Sequence, residues 1–490
     1  MNQSKSKPAF ERSATWVVFS SVVSLFLFHL YIIRKYAVDV PIIDDYAMFR
    51  PGRPAKLSLS WLLDPSNTRP TASEHIIATT KLFVWIQYQL NGWNYSFNLV
   101  LNFVIFGLFL AWMVWFANRA APDVPRYVGL AFIIFLLSPI DWFNHFMATQ
   151  TCYLFYLAFF FVAAEVLFRD RQRWWHIVAG SLLAVLSIYS LASGFGSCLV
   201  LLVAFSIFKG QRIYSTNDSR LRASEATQVA VAVFLIGGAL TWWIVHYTTP
   251  AHVSLVLPND ARFWQFFLNL VAFGFGIEMF SFGWGIFCLL VVLVPLAALI
   301  WKRRSLMTGI EWACVAMLAG ILVNVAETAL GRSYSGVAVQ STALRYVEFV
   351  LPLIPLSMIS WAIVLRSRKR LQTVVLGSLF GFCLLTFAND WDFAAYRYEA
   401  RRRIDGRECV KSYYKGVGDG RCPTLYVDRG VNIPLATWLD NAKAVNVSFY
   451  QNIRREIDSE NEHSHRRVDR FCIAKIQREP LCDKRTFEFI

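Results

Sequence analysis

The feature that most constrains this chain is the recurrence of apolar blocks about as long as a bilayer core is thick. A hydrocarbon core of about 30 Å takes roughly 20 helical residues to cross. Thr15–Ile33, Trp284–Trp301 and Tyr346–Leu365 have that length and lack the polar face of an amphipathic soluble helix. In lipid every backbone N–H and C=O must be satisfied within the protein, so blocks of this kind predict helices. Hydrophobic residues make up 56% of the 490 residues, above the roughly 45–50% usual for soluble domains. A water-soluble enzyme is excluded. The first block is long and has a poor small-residue cleavage signal, so it reads as a retained helix.

Basic residues order the blocks. Lys and Arg accumulate on the cytoplasmic side of membrane helices, and Lys5, Lys7 and Arg12 place the N-terminus there. The expected spans are Thr15–Ile33, Phe97–Phe116, Tyr127–Pro139, Cys152–Phe168, Trp175–Leu191, Phe195–Phe208, Ala226–His246, Trp284–Trp301, Ile310–Leu330, Tyr346–Leu365 and Gln372–Ala388. Arg119 and Arg126, Arg169 to Arg173, Lys209 to Arg222, Lys302 to Arg304 and Arg366 to Arg370 then all fall on one side. That makes about eleven crossings and puts the C-terminus outside. Phe263–Phe282 would break the alternation as a span, so it is expected as an interfacial or re-entrant helix on the outer side. A second such helix is expected over Ile76–Leu90, before the Asn91–Gly92 turn signal. No internal repeat is visible. The net charge of +15 is topological and tail-borne; no nucleic-acid-binding motif accompanies it, and the basic tail suits anionic lipid headgroups or acidic glycans.

Residues 1–389 thus form a membrane domain, and 390–490 a polar extracytoplasmic tail. The tail holds Cys409, Cys422, Cys472 and Cys482, whereas the other five cysteines lie in apolar segments. Thiols concentrated in an oxidising compartment suggest disulfides, and no Cys-x-x-Cys pair supports zinc. The expected pairs are Cys409–Cys422, around a short Gly-rich loop, and Cys472–Cys482.

Candidate chemistry clusters on the outer side. The first outer loop carries Asp44-Asp45, then Asp64, then Glu74-His75. Adjacent carboxylates at a membrane surface are costly unless solvated, paired or used. One could accept a proton from an attacking hydroxyl, with Glu74 and His75 orienting it or binding a metal; the bland alternative is a polar loop start. Asp141-Trp-Phe-Asn144-His145 and Gln150 would suit a sugar, or only an interfacial aromatic belt. Arg332 and Arg345, beside Tyr346, could clamp a phosphate, or only snorkel to headgroups. Glu278 and Glu327 lie in apolar runs, and Glu327 could pair with Arg332 or Arg345.

These motifs together resemble bacterial multi-pass GT-C-type glycosyltransferases. The resemblance is to a poorly characterised group with Asp-Asp and Asn-Glu-His-Arg-like motifs in the first outer loop, a Gly-Arg…Gly…Ser-Arg-Tyr-like stretch and a tail cysteine pair. The matches are Asp44-Asp45, Glu74-His75, Gly331-Arg332 with Gly336, Arg345-Tyr346, and Cys409 with Cys422. Ser73 and Ile76 depart from the motif's Asn and Arg, so another residue would have to meet the donor phosphate. The resemblance implies an all-α bundle of GT-C type with outer loop helices. It implies transfer of a sugar from a polyprenyl-phosphate donor to an envelope glycan or lipid acceptor, at the outer face of a bacterial inner membrane. Asp44 or Asp45 would be the base. Glu74 and His75 would position substrates or a divalent cation, and Arg332 and Arg345 would hold the phosphate. The rival readings are a flippase or transporter of lipid-linked glycans, and an O-antigen polymerase or ligase.

Overall fold

The computed structural model describes residues 9–64, 76–247, 254–278, 281–303, 307–335, 344–391, 393–425 and 434–476. All regular structure among them is helical. Among the described residues, nine helices are long and apolar enough to cross a membrane. These are α1 (Ala9–Tyr36), α4 (Tyr95–Ala120), α5 (Arg126–His145), α6 (Ala148–Leu167), α8 (Gly194–Ser215), α9 (Ser219–His246), α11 (Phe282–Arg303), α12 (Gly309–Arg332) and α13 (Val347–Val364). The shorter apolar helix α7 (Trp174–Ile188) and α14 (Lys369–Thr386) occupy the two remaining expected spans. Short helices α2 (Leu59–Leu63), α3 (Ala78–Asn91) and α10 (Ala261–Phe273) are too short to cross. The last two lie where non-crossing helices were expected. The tail folds as α15 (Ala394–Tyr414), α16 (Leu435–Ala444) and α17 (Ser448–Ile476).

Local chemistry sets the boundaries. Gly92 ends α3 at φ 63°, a left-handed conformation that costs glycine little. Asn94 then caps α4 by accepting the Phe97 N–H at 2.8 Å. Thr308 and Glu311 form a reciprocal capping box at the start of α12.

Lipid offers no hydrophobic drive between helices, so the bundle depends on close packing at small residues. The centre is α5, α6, α12 and α13; 83% of the α13 core window is buried, against 17% for peripheral α1. Gly309 shows how tight the crossings are: a Cβ there would sit 1.5 Å from the Phe168 carbonyl oxygen. At the same end Asp170 Oδ1 accepts the Gly309 N–H at 2.8 Å.

Four of the predicted cytoplasmic clusters meet at this end; the side chains of Lys302 to Arg304 lie outside the described residues. Glu165 pairs with Arg119 at 2.7 Å and with Arg169 at 3.1 Å. Arg366 pairs with Asp123 at 2.7 Å, Lys209 pairs with Glu225, and Arg212 donates to the Asp170 carbonyl at 3.4 Å. The tail packs against the opposite end, on the segment that follows α1. The Ser448 N–H donates to Gly92 O at 2.8 Å, the Tyr88 hydroxyl to Val445 O at 2.7 Å, and Asn441 to Phe49 O at 3.1 Å. The tail therefore completes the bundle's end and is not a separate appendage. Cys409 and Cys422 form a disulfide with Cα atoms 5.8 Å apart, and the five cysteines of the apolar segments are buried thiols. The Cys472 side chain and all of Cys482 lie outside the described residues.

Candidate functional site

Four parts of the chain meet at the tail end: the segment after α1, the α5–α6 connection, the described residues 332–335 and 344–346, and α15. Asp45 sits at their centre, fully buried on a 3-10 turn. Its Oδ1 accepts the Thr149 N–H at 2.8 Å, and its Oδ2 receives the Ile42 N–H at 3.4 Å. The Tyr95 hydroxyl lies 2.5 Å from Asp45 Oδ2 and 2.7 Å from the Phe146 carbonyl. That hydroxyl has one proton for two acceptors. A protonated Asp45 resolves the conflict, donating to Tyr95 while Tyr95 donates to Phe146. Burial raises the Asp45 pKa in the same direction. Both oxygens are engaged and none faces solvent, so Asp45 braces loop against helix; the geometry does not present it as a base. Asp44 shares the turn, but its side chain lies outside the described residues, as do Glu74, His75 and Gly336.

Arg403 of α15 closes the bracket from above. It is fully buried, donates to the Phe146 carbonyl, contacts Glu399 at 3.1 Å, and stacks over Tyr95 and Phe146 at 5.4 and 5.1 Å. No local signal in the sequence separates it from its neighbours Arg401 and Arg402.

His145 and Gln150 lie on either side of Phe146 and line one small cavity with Asp141, Asn144 and Glu348. His145 Nδ1 is 2.7 Å from the Tyr396 hydroxyl, and its Nε2 is 3.9 Å from Asp141. Asn144 donates to the Arg345 carbonyl at 3.5 Å, which ties this layer to the arginine stretch. Arg345 stacks over Tyr346 at 5.0 Å, and both Arg332 and Arg345 are within electrostatic reach of Tyr153. The structure thus brings His145, Gln150, Arg332, Arg345 and Tyr346 into one layer. Glu327 stands apart from those arginines: it accepts the Gly196 N–H at the start of α8, an anion-favouring helix terminus. Glu278 is exposed beyond α10. With burial, it raises the pKa of Asp390 to about 7.

An open cleft of about 620 Å³ lies beside this layer, lined by Arg50, Arg53, Trp61, Asp64, Trp242 and His246 among others. Arg50 pairs with Asp64 at 2.6 Å, and Arg53 lies over the Trp61 ring at 5.5 Å. Behind the wall, buried Lys81 donates to the carbonyls of Trp61 and Asp64 at 2.8 and 2.6 Å. Desolvation lowers its pKa to about 7. The undescribed stretch carrying Glu74 and His75 follows Asp64 directly. Sequence reasoning marked Asp64 but missed Arg50, Arg53 and Lys81, whose spacing matches no motif. Among the described residues no group of three His, Cys, Asp or Glu is placed to hold a metal.

Fold and site together define a class: a polytopic α-helical membrane protein with a polar layer and a cationic, aromatic cleft at one end of its bundle. No protein-family profile matches the chain, and neither a curated protein nor a solved structure is significantly similar to it.

Proposed function

We propose that this chain is a membrane glycosyltransferase that moves a sugar from a polyprenyl-phosphate donor to an envelope glycan or lipid acceptor. The observation that carries the reading is the cleft of about 620 Å³ at the tail end of the bundle, a size typical of small-molecule sites, which span about 300–1,000 Å³. Its wall offers what a sugar phosphate at a membrane surface requires: Trp61 and Trp242 for the pyranose face, Arg50 and Arg53 for the phosphate, and Asp64 as a carboxylate. In this reading the chain spans eleven times in the GT-C manner, with the cleft and tail outside a bacterial inner membrane. With Asp45 engaged in the bracket, the base is Asp44 or Asp64. The base takes the acceptor hydroxyl proton, the oxygen attacks the anomeric carbon, and the bond to the lipid phosphate breaks. The phosphate leaves with its charge against the arginines.

A general base typically contributes about 10²–10⁴-fold. Asp44→Asn or Asp64→Asn should therefore nearly abolish transfer at unchanged membrane levels. Arg53→Ala should raise the apparent KM, because it removes a contact made before the transition state. Glycan profiling of cells carrying each variant, with immunoblots of their membranes, is the measurement. Full transfer by both Asp variants would overturn the enzyme reading. The transporter of lipid-linked glycans would then replace it, a reading to which the carboxylates buried within the helices, Asp141 and Glu348, already lend support.

A further inference from the structure

We propose that a sodium ion binds among the carboxylates of Asp141 and Glu348 and the amide oxygens of Asn102, Asn144 and Gln150. All five side chains line one small, partly open cavity of about 20 Å³, room for one or two water-sized atoms. The amide orientations follow from what their nitrogens do. Asn102 Nδ2 donates to Ala148 O at 3.0 Å, Asn144 Nδ2 to Asp141 Oδ1 at 2.5 Å, and Gln150 Nε2 contacts Met147 Sδ at 3.4 Å. Each leaves a buried amide oxygen with no donor. Asn144 and Gln150 are each only 7% exposed, so these oxygens carry an unmet desolvation cost. Neither carboxylate pairs with a Lys or Arg among the described residues; the one basic neighbour is His145, 3.9 Å from Asp141.

The donor set selects the ion. Five hard oxygens and no sulfur favour alkali or alkaline-earth cations over softer metals. Three of the five are neutral amides. Calcium takes six to eight oxygens, and magnesium keeps several of its waters, for which about 20 Å³ leaves no space. One sodium ion, with one proton retained on the carboxylate pair, leaves this buried group neutral. The inference is independent of the transferase reading.

Thermal unfolding of the full chain in nanodiscs, followed by tryptophan fluorescence, tests it. Sodium chloride is compared with N-methylglucamine chloride at equal ionic strength. Binding to the folded state alone should raise Tm by at least about 2 °C in sodium, saturably. Asp141→Asn with Glu348→Gln should remove the sodium increment while the N-methylglucamine Tm persists. If that double variant does not fold, Gln150→Met keeps both carboxylates and should shift the half-saturating sodium concentration upward about tenfold. Equal Tm in the two salts, an increment that survives in the folded double variant, an unshifted Gln150→Met, or a rise produced by millimolar calcium but not by sodium would each overturn the proposal.

Discussion

At the scale of single residues, burial and hydrogen bonding sort the carboxylates that the sequence presents alike. Asp44 and Asp45 are neighbours in an apolar context, yet Asp45 is a bracket whose oxygens meet Thr149 and Tyr95. The two amide-sized replacements separate this role from catalysis. Asp45→Asn can keep an oxygen on the Thr149 N–H and offer its nitrogen to Tyr95, which then donates to Phe146. Asp45→Ala leaves the Thr149 N–H unpartnered, at about 1–3 kcal/mol, and adds a cavity. We expect Asn to retain Tm within about a degree and Ala to lose several degrees, read by tryptophan fluorescence in nanodiscs. Loss of transfer by a normally folded Asp45→Asn protein would return Asp45 to the role of base. Asp141 was marked in the sequence, but the signal for Glu348 was present and unread. Glu348 follows Tyr346 by two positions and opens an apolar run, which marks it as strongly as Glu327 was marked.

At the scale of elements, the tail is held by two chemistries with opposite pH dependence. Hydrogen bonds from Lys411 of α15 and from Lys415 just after it lower Glu460 of α17 from the ordinary 4.5 to about 2, and Arg407 lowers Glu456. A depressed carboxylate stabilises the fold above its unfolded pKa and loses that contribution as pH falls through its folded pKa. The α15–α17 contact should be intact at neutral pH and loosen between about pH 4.5 and pH 2. Asp45, whose pKa is raised, runs the other way: its contribution is full below its unfolded pKa and falls as pH rises through its folded one. Spin labels on α15 and α17 should keep one narrow distance from pH 8 to 5 and broaden below about 4.5, while a pair spanning α15 and the Asp45 turn stays narrow. Broadening at both pairs together would mean the bracket does not hold the tail. The positions of α3 and α10 were legible before the structure: α10 is apolar yet cannot cross without breaking the alternation of basic clusters, and α3 ends at the Asn91–Gly92 turn signal. The tail's helices were not, since a charge-rich segment shows no periodic core until its partner surface is known.

At the scale of the whole molecule, the basic clusters and the tail lie at opposite ends of one bundle. Reporter fusions after residue 370 and at residue 490 should therefore report opposite sides of the membrane, with residue 370 cytoplasmic. Finding both on one side would remove the eleven-span arrangement and the outward placement of the cleft. The sequence by itself determined the helical class, the positions of the long apolar helices and the common end of the described basic clusters. Those follow from transfer free energy and charge, which add up along the chain and need no partner. The Cys409–Cys422 bridge belongs with them, being a short-range closure. Only the tertiary structure decided that Arg403 is buried while its neighbour Arg401 is exposed. It alone placed Asp45 among donors, and it alone brought Arg50, Trp61 and Trp242 to one cleft. Those outcomes depend on which distant surfaces meet, and a side chain's chemistry is set by the atoms packed around it rather than by its neighbours along the chain.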